Sequence, residues 1–450
     1  MENGESTSRT PHPTFRNPIP PDEALRHIEA LSFPRRTGTP GEAQAQEYII
    51  KRFKAMGMDP VLEEFQFTPV LGLLSKGFLL MALLLLTAVH LLSPFQNSEF
   101  FILNSILCIL LLVMILAFLW GRPVVALLGW ALFCDLPFLK KVHSKNIMST
   151  WPVCAEQARP QIPAEQARPQ IPAEQARPQI PAEQARPLHV YLLAHYDSKS
   201  QTLPLGLRLP LVAVSFLSTL FLTSYYLLMP LMGLPVQGMA GRGSFIVALT
   251  SGLMLLWTKT RNLSQGAIDN ASGVAVMLQL AEAIKREAQR FKGLKFHFVA
   301  TGAEEEGLVG AFWLCKSLGR GDPSASGGRP YVINLDGVGT KGRVYCTSKV
   351  GLHLLSPGQK ELVALIRETA EKGGLRVYSP PLVIGAMADH FPFATSGYDA
   401  VTFSVVSRRS LWVHTSWDTP EMVEKEGIEI VERLVLELLK ARGLGPSAST

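Results

Sequence analysis

Four apolar runs of strand type end in residues that bind metals or move protons. "LHVYLLAH" ends at His195, "LKFHFVATGAEEE" reaches Glu304, Glu305 and Glu306, "PYVINLD" ends at Asp336, and "DAVTFSVV" is followed by "WVHTSWDT" with His414. A further carboxylate, Asp269, lies in "GAIDNASG", where Gly266 and Gly273 permit a tight turn that presents it at a helix start. Imidazole and carboxylate donors suit Zn²⁺, and two metals about 3.5–4 Å apart need a carboxylate that bridges them. Asp269 is the natural bridge. Taken singly these residues say little: an aspartate before a helix is more often a cap, and a run of glutamates is usually a solvated face. Two histidines, two aspartates and paired glutamates together are the donor set of a two-metal hydrolase.

Helical patterns separate the runs: "ASGVAVMLQLAEAIKREA" after Asp269, "LVGAFWLCKSL" after the glutamates, and "GQKELVALIRETAEKG" later. Alternation of this kind predicts an α/β fold with a mainly parallel sheet flanked by helices. In such folds functional groups gather beyond the carboxyl ends of the strands.

The 450 residues are 47% hydrophobic, high for a soluble protein, and the excess sits in two blocks, Thr68 to Leu139 and Leu203 to Trp257. Lys76 and Glu99 bracket 22 uncharged residues, and Glu99 and Arg122 bracket another 22, each enough to cross a hydrocarbon core of about 30 Å. Leu209–Pro235 and the shorter Gly243–Thr258 supply a second pair of spans. "VVALLGWALF", Val124 to Phe133, is too short to cross and belongs at the interface or against the second helix. The expected organisation is residues 1–67 as the start of one domain, 68–139 as a membrane hairpin plus interfacial helix, 140–202 as domain, 203–258 as a second hairpin, and 259–450 as the remainder.

If the polar segments build one domain, they share one side of the lipid bilayer. That side carries Lys76, Arg122, Lys140, Lys141, Lys145, Lys199, Arg208, Lys259 and Arg261 against Arg242 opposite, so the positive-inside rule makes it cytoplasmic. The chain is thus expected to be a multi-pass membrane protein of about four spans. The polar opening residues argue against a cleavable signal peptide.

Net charge is +6, but Lys and Arg are scattered or flank the apolar blocks, which disfavours nucleic-acid binding. Five widely spaced cysteines (Cys108, Cys134, Cys154, Cys315, Cys346) form neither a disulfide framework nor a CxxC site. The spans carry no Asp, Glu, Lys or Arg to mark a transport path. Ala155 to Pro187 repeats the unit "AEQARPQIP" three times with a partial fourth. Its prolines and polar composition predict an extended loop between the strands "SKNIMSTWP" and "LHVYLLAHYD".

"HYDS", "GAIDNASG", "GAEEEGLVGA", "INLDGVG", "ADHFPF" and "VHTSWDTPE", in this order, resemble the co-catalytic zinc peptidases that include aminopeptidase Y, bacterial leucyl aminopeptidases and glutamate carboxypeptidase. The resemblance runs from about Pro21 to the C-terminal helix, omitting the apolar blocks and the repeat. It implies a zinc exopeptidase fold and two zinc ions per chain. His195 and Asp336 become ligands of one zinc, Glu305 and His414 of the other, with Asp269 bridging. Glu304 becomes the general base that activates a water held between the metals. Asp197, on the face of His195, would orient that imidazole. Glu306 falls at a variable position and should be solvated.

His390 in "ADHFPF" falls near the family's substrate pocket and is not expected to ligate metal. Packing roles are expected for His297 and His90. Val413 stands where some relatives have an oxyanion-stabilising tyrosine. The implied function is a membrane-bound zinc exopeptidase acting on peptide or protein substrates, most simply an aminopeptidase. The alternatives are a glutaminyl-cyclase-like acyltransferase using one zinc, or a non-catalytic peptidase-like receptor.

Overall fold

The computed structural model describes residues 21–94, 98–134, 139–152, 187–236, 238–319, 328–352, 355–380 and 387–443. The nine-residue repeat lies outside the described residues except for Pro187.

The framework is an eight-stranded sheet of β1 (Pro60–Phe67), β2 (Val142–Pro152), β3 (Leu188–His195), β6 (Leu294–Thr301), β7 (Tyr331–Leu335), β8 (Arg343–Thr347), β9 (Val377–Tyr378) and β10 (Asp399–Val406) in the order β1-β2-β6-β3-β7-β10-β8-β9. The four central strands β6, β3, β7 and β10 are mutually parallel. Antiparallel pairings appear only toward the edges, where β2 flanks β6 and β8 flanks β10. The strands on either side of the repeat are therefore not neighbours, because β6 lies between β2 and β3.

The central strands are predominantly apolar on both faces because both faces are covered. Val190, Leu192 and Ala194 of β3 face one core with α1 (Pro21–Leu31), α8 (Ser272–Arg286), α10 (Pro357–Lys372) and α12 (Lys425–Gly443). Tyr191 and Leu193 face the other, with α9 (Val309–Leu318) and α11 (His390–Thr395). Residues one apart on a strand thus serve opposite cores, as the two-residue period of the pleat demands. The N-terminal α2 (Pro40–Ala55) joins the first core through Ala45, Ile49 and Phe53. The segments on either side of the apolar blocks accordingly share one hydrophobic core.

Among the described residues, four helices are long and apolar enough to cross a membrane: α3 (Leu71–Leu92), α4 (Ser98–Trp120), α6 (Leu205–Leu231) and α7 (Met239–Leu256). They pack on one another through Leu86, Val89, Cys108, Leu111, Leu222 and Ala248. His90 is used inside this bundle, 2.5 Å from the Tyr226 hydroxyl and stacked on Phe245. Outward faces expose Leu84, Ile102, Leu217 and Ile246, a surface suited to lipid chains rather than water. The fourth helix starts earlier than its uncharged run implied and includes Arg242 in its first turn.

The short α5 (Arg122–Phe133) turns back onto the domain. It buries Leu128, Ala131 and Leu132 beside Phe65, Phe67 and Val309, and leaves Leu127 and Trp130 exposed. At the foot of the second hairpin, β4 (Ser200–Gln201) pairs antiparallel with β5 (Thr260–Arg261) and clips its two legs together.

The two hairpins meet where a Cβ on Gly252 of α7 would lie 2.7 Å from Leu83 Cδ2 of α3. Gly252→Leu is therefore expected to part these helices at a cost of about 1–3 kcal/mol. The check is a lowered unfolding temperature of the detergent-solubilised protein, and an unchanged midpoint would contradict this packing.

Candidate metal centre

His195 closes β3, Glu304 and Glu305 follow β6, Asp336 follows β7, and all stand at the carboxyl edge of the parallel strands. Asp269 and His414 arrive on loops from outside the sheet. The Asp269 turn begins at Gly266, where φ is +61° and a Cβ would sit 2.7 Å from both Asp269 O and Ser198 Cβ. Only glycine fits there. The Asp269–Asn270 peptide is cis. Asn270 ties this turn to the end of β7, its Nδ2 donating to Leu335 O and its Oδ1 accepting from Gly337 N. Ala303 and His414 adopt positive φ of 56° and 61°, conformations that cost non-glycine residues about 1–3 kcal/mol and persist where surrounding contacts hold them.

Two groups of donors result. In the first, His195 Nε2 lies 3.1 Å from Asp269 Oδ1 and 3.8 Å from Asp336 Oδ1. In the second, His414 Nε2 lies 2.9 Å from Asp269 Oδ2 and 3.2 Å from Glu305 Oε1. The ligand atoms within each group all fall within 4.8 Å of one another. One carboxylate, Asp269, thus turns each of its oxygens toward a different histidine. Glu304 stands beside both groups, its Oε2 3.9 Å from His195 Nε2.

The donor chemistry and its supports fit zinc. Glu305 Oε2 is taken by Lys199 Nζ at 2.8 Å, while Oε1 is buried without a hydrogen-bond donor and turned toward His414. Asp197 accepts from Glu304 N and Glu305 N at 3.1 and 3.2 Å and from the Thr37 hydroxyl. Its carboxylate thus spends itself on the glutamate turn. His195 Nδ1 lies 3.6 Å from that carboxylate and 3.2 Å from the Asp197 backbone oxygen. Glu306 departs from expectation: it is held by Arg36, with both nitrogens 2.9 Å from Oε1, rather than solvated. His390 is buried and bonded to the Thr402 hydroxyl, and His297 is bonded to Thr150. Neither belongs to the cluster.

Several residues of the site carried no role in the sequence reading. Asp418, four residues after His414, accepts from Ile268 N and Asp269 N and so holds the shared carboxylate's turn. Arg35 in "FPRRTGTP" is wholly buried; it donates to the backbone oxygens of Leu31, Tyr196, Gln265 and Gly266. Lys199 and Arg208 come from the approach to the second hairpin, and Arg208 Nη2 lies 3.2 Å from His414 Nδ1. A basic residue two positions after Asp197 was the available signal for Lys199. Nothing local marks Arg35 or Arg208: apart from Leu31 O, the Arg35 partners named above are 161 to 231 residues away, and the Arg208 partner is 206 residues away.

The electrostatics are those of a place that holds cations. Burial pulls the His414 pKa down, but Glu305 and Asp269 outweigh it and push the value up to about 9. His195 is likewise raised well above the imidazole range against the effect of burial, by Glu304, Asp197, Asp269 and Asp336. Burial opposes ionisation of Glu305, yet His414 and Lys199 push it down to about 2. Glu304 goes the other way, raised well above the carboxylate range by burial and then by Glu305, Asp389 and Asp336. Asp389, fully buried and bonded to Thr301, is raised to about 7 by burial.

A parallel sheet that gathers two His–carboxylate groups around one shared aspartate has the framework of a metal-dependent hydrolase. The chain belongs to peptidase family M28, whose model matches residues 179–439. It is 31% identical over 176 residues to aminopeptidase YwaD of Bacillus subtilis (38% of this chain, 36% of that protein). It is 41% identical over 86 residues to the alkaline phosphatase isozyme conversion protein of Escherichia coli (19% and 23%). The matches thus span about a third and a quarter of those relatives. Among solved structures, the aminopeptidase of Aneurinibacillus sp. strain AM-1 aligns with TM-score 0.49 and 15% identity over 93% of both chains. The Fimbriiglobus ruber glutaminyl cyclase aligns with TM-score 0.48 and 15% identity over 96% and 99%.

Because folding raises the His414 pKa from 6.5 to about 9, the folded metal-free protein binds more protons than the unfolded chain between those values. Its stability therefore falls as pH rises through that window. Thermal melts from pH 6 to 10 are expected to show a falling midpoint for metal-free protein and little change once zinc is bound. Parallel curves would contradict ligation by these rings.

Proposed function

We propose that the chain is a membrane-bound two-zinc metallopeptidase that trims amino-terminal residues from peptides. The observation that carries the two-metal reading is Asp269, whose oxygens lie 3.1 and 2.9 Å from His195 and His414. His195 and Asp336 would hold one zinc, Glu305 and His414 the other, with Asp269 between. Bound there, zinc ions supply polarisation of a peptide carbonyl and acidification of water.

The chain's own residues do the rest. Glu304 takes a proton from the attacking water and returns it to the nitrogen of the departing amine. Asp197 fixes Glu304 through the backbone, so the base is aimed by a buried carboxylate rather than by its own flexible stem. Lys199 occupies Glu305 Oε2 and leaves Oε1 to ligate. Support for the aminopeptidase reading over other peptidases comes from aminopeptidase YwaD, 31% identical to this chain over 176 residues. Two donor groups, rather than one, weigh against one-zinc cyclase chemistry.

The four apolar helices would cross the bilayer as two hairpins with the domain on the cytoplasmic side. Lys76, Lys140, Lys141, Lys259 and Arg261 stand at the domain end of the bundle, which supports that orientation.

Glu304→Gln is expected to lower kcat roughly 10²- to 10⁴-fold while elemental analysis still finds two zincs per chain. Full activity in that variant would remove Glu304 from the mechanism. Mass spectrometry of a peptide library digested by the wild type separates amino-end trimming from carboxyl-end trimming and from cyclisation.

A further inference from the structure

The loop that carries His414 exposes large apolar side chains beside the membrane bundle. Leu411 is 40% exposed, Trp412 45% and Trp417 67%, the two indoles having ring centroids 6.2 Å apart. The arrangement is built in. The Thr415 hydroxyl donates to Trp412 O and accepts from Trp417 N, so one buried side chain turns both tryptophans outward. Isolated exposed hydrophobics are ordinary; a fixed cluster of this size on one short loop marks an interaction surface.

Three contacts set its level against the bundle. Gln201 N of β4 donates to His414 O at 2.8 Å. Arg208, in the first turn of α6, meets the His414 ring, and the residue after it, Leu209, starts the uncharged run. A Cβ on Gly206 would lie 3.4 Å from Leu411 Cβ. Across the β4–β5 clip, the other leg presents Trp257 (76% exposed), then exposed Lys259 and Arg261, then Leu263 (53%). Tryptophan mixed with Lys and Arg at the end of an apolar helix is the composition of a headgroup layer.

We propose that this rim lies in the cytoplasmic surface of the bilayer, so that the centre opens at the membrane interface and takes peptides held at a lipid surface. The occupant is the bilayer itself, because the rim is continuous with the feet of α6 and α7. The inference rests on the membrane-bound peptidase reading above and narrows its substrate class.

The test uses full-length protein in vesicles of phosphatidylcholine with a quarter phosphatidylserine. Spin labels on Trp412→Cys and Trp417→Cys are expected to collide with membrane-dissolved oxygen in preference to an aqueous nickel chelate. Labels reached mainly by the nickel chelate would overturn the proposal. In the second arm one peptide is presented either free or anchored to the vesicle by a lipid. Trp412→Ser/Trp417→Ser is expected to reduce kcat/KM for the anchored form about tenfold and to leave the free form within twofold. Equal losses on both forms would make the rim a side-chain subsite and would equally overturn it. A wild type inactive on both peptides would sink the peptidase reading, and the label depths would still decide where the rim lies.

Discussion

Everything at the centre follows from crowding carboxylates where water cannot screen them. Asp197, Asp269, Glu304, Glu305 and Asp336 meet at the ends of three neighbouring strands, with side-chain exposures from 0 to 20%. A buried unpaired carboxylate costs several kcal/mol, so the surroundings must answer each one. Asp197 is consumed by two backbone N–H groups and a hydroxyl, Glu305 Oε2 by Lys199, and Asp418 by the backbone of the Asp269 turn. What remains unanswered is both oxygens of Asp269, Glu305 Oε1 and Asp336, facing two imidazoles. The residues already spent thus define where positive charge is still wanted.

The same demand explains how an apolar helical hairpin fits inside the domain. Asp197 and Asp269 are 72 residues apart, yet both must reach the cluster. The cost of closing a long loop grows only slowly with length, so an insert is tolerable if its ends are joined. They are joined here by the β4–β5 clip, and Arg35 binds the chain on both sides, at Tyr196 before the insert and at Gln265 and Gly266 after it. Because Arg35 itself precedes the first hairpin, one guanidinium ties together three segments that the two hairpins separate.

How much of this could be read from the residues depends on the range of the interaction. Strands whose both faces are covered announce themselves as unbroken apolar runs, which is why β3, β6, β7 and β10 and the donors at their ends were visible. Spans announce themselves by absence of charge. Edge pairing is different: β2 lies against β6 rather than β3, and no local pattern in "SKNIMSTWP" encodes which neighbour it takes. Glu306, at a variable position of the family motif, is expected in solvent, and Arg36, 270 residues earlier, reverses that. Asp197 was placed behind His195 by strand alternation. Its carboxylate in fact lies nearer the glutamate turn, because β6 brings Glu304 N and Glu305 N to it.

These long-range contacts also fix how far the candidate metal centre sits from the apolar helices. Arg208 touches His414, and the first residue of the uncharged run follows it directly. An arginine stem spans little more than one helical turn of about 5.4 Å, so if α6 crosses a bilayer as proposed, His414 is held at headgroup depth. Neither partner has room to drift, since His414 O is also bonded to Gln201 and the Asp269 turn is held by Asp418 from the same loop. On that proposal, a centre placed in this way would select substrates first by where they are and only then by their side chains. The hairpin would then contribute to specificity through where it holds the His414 loop.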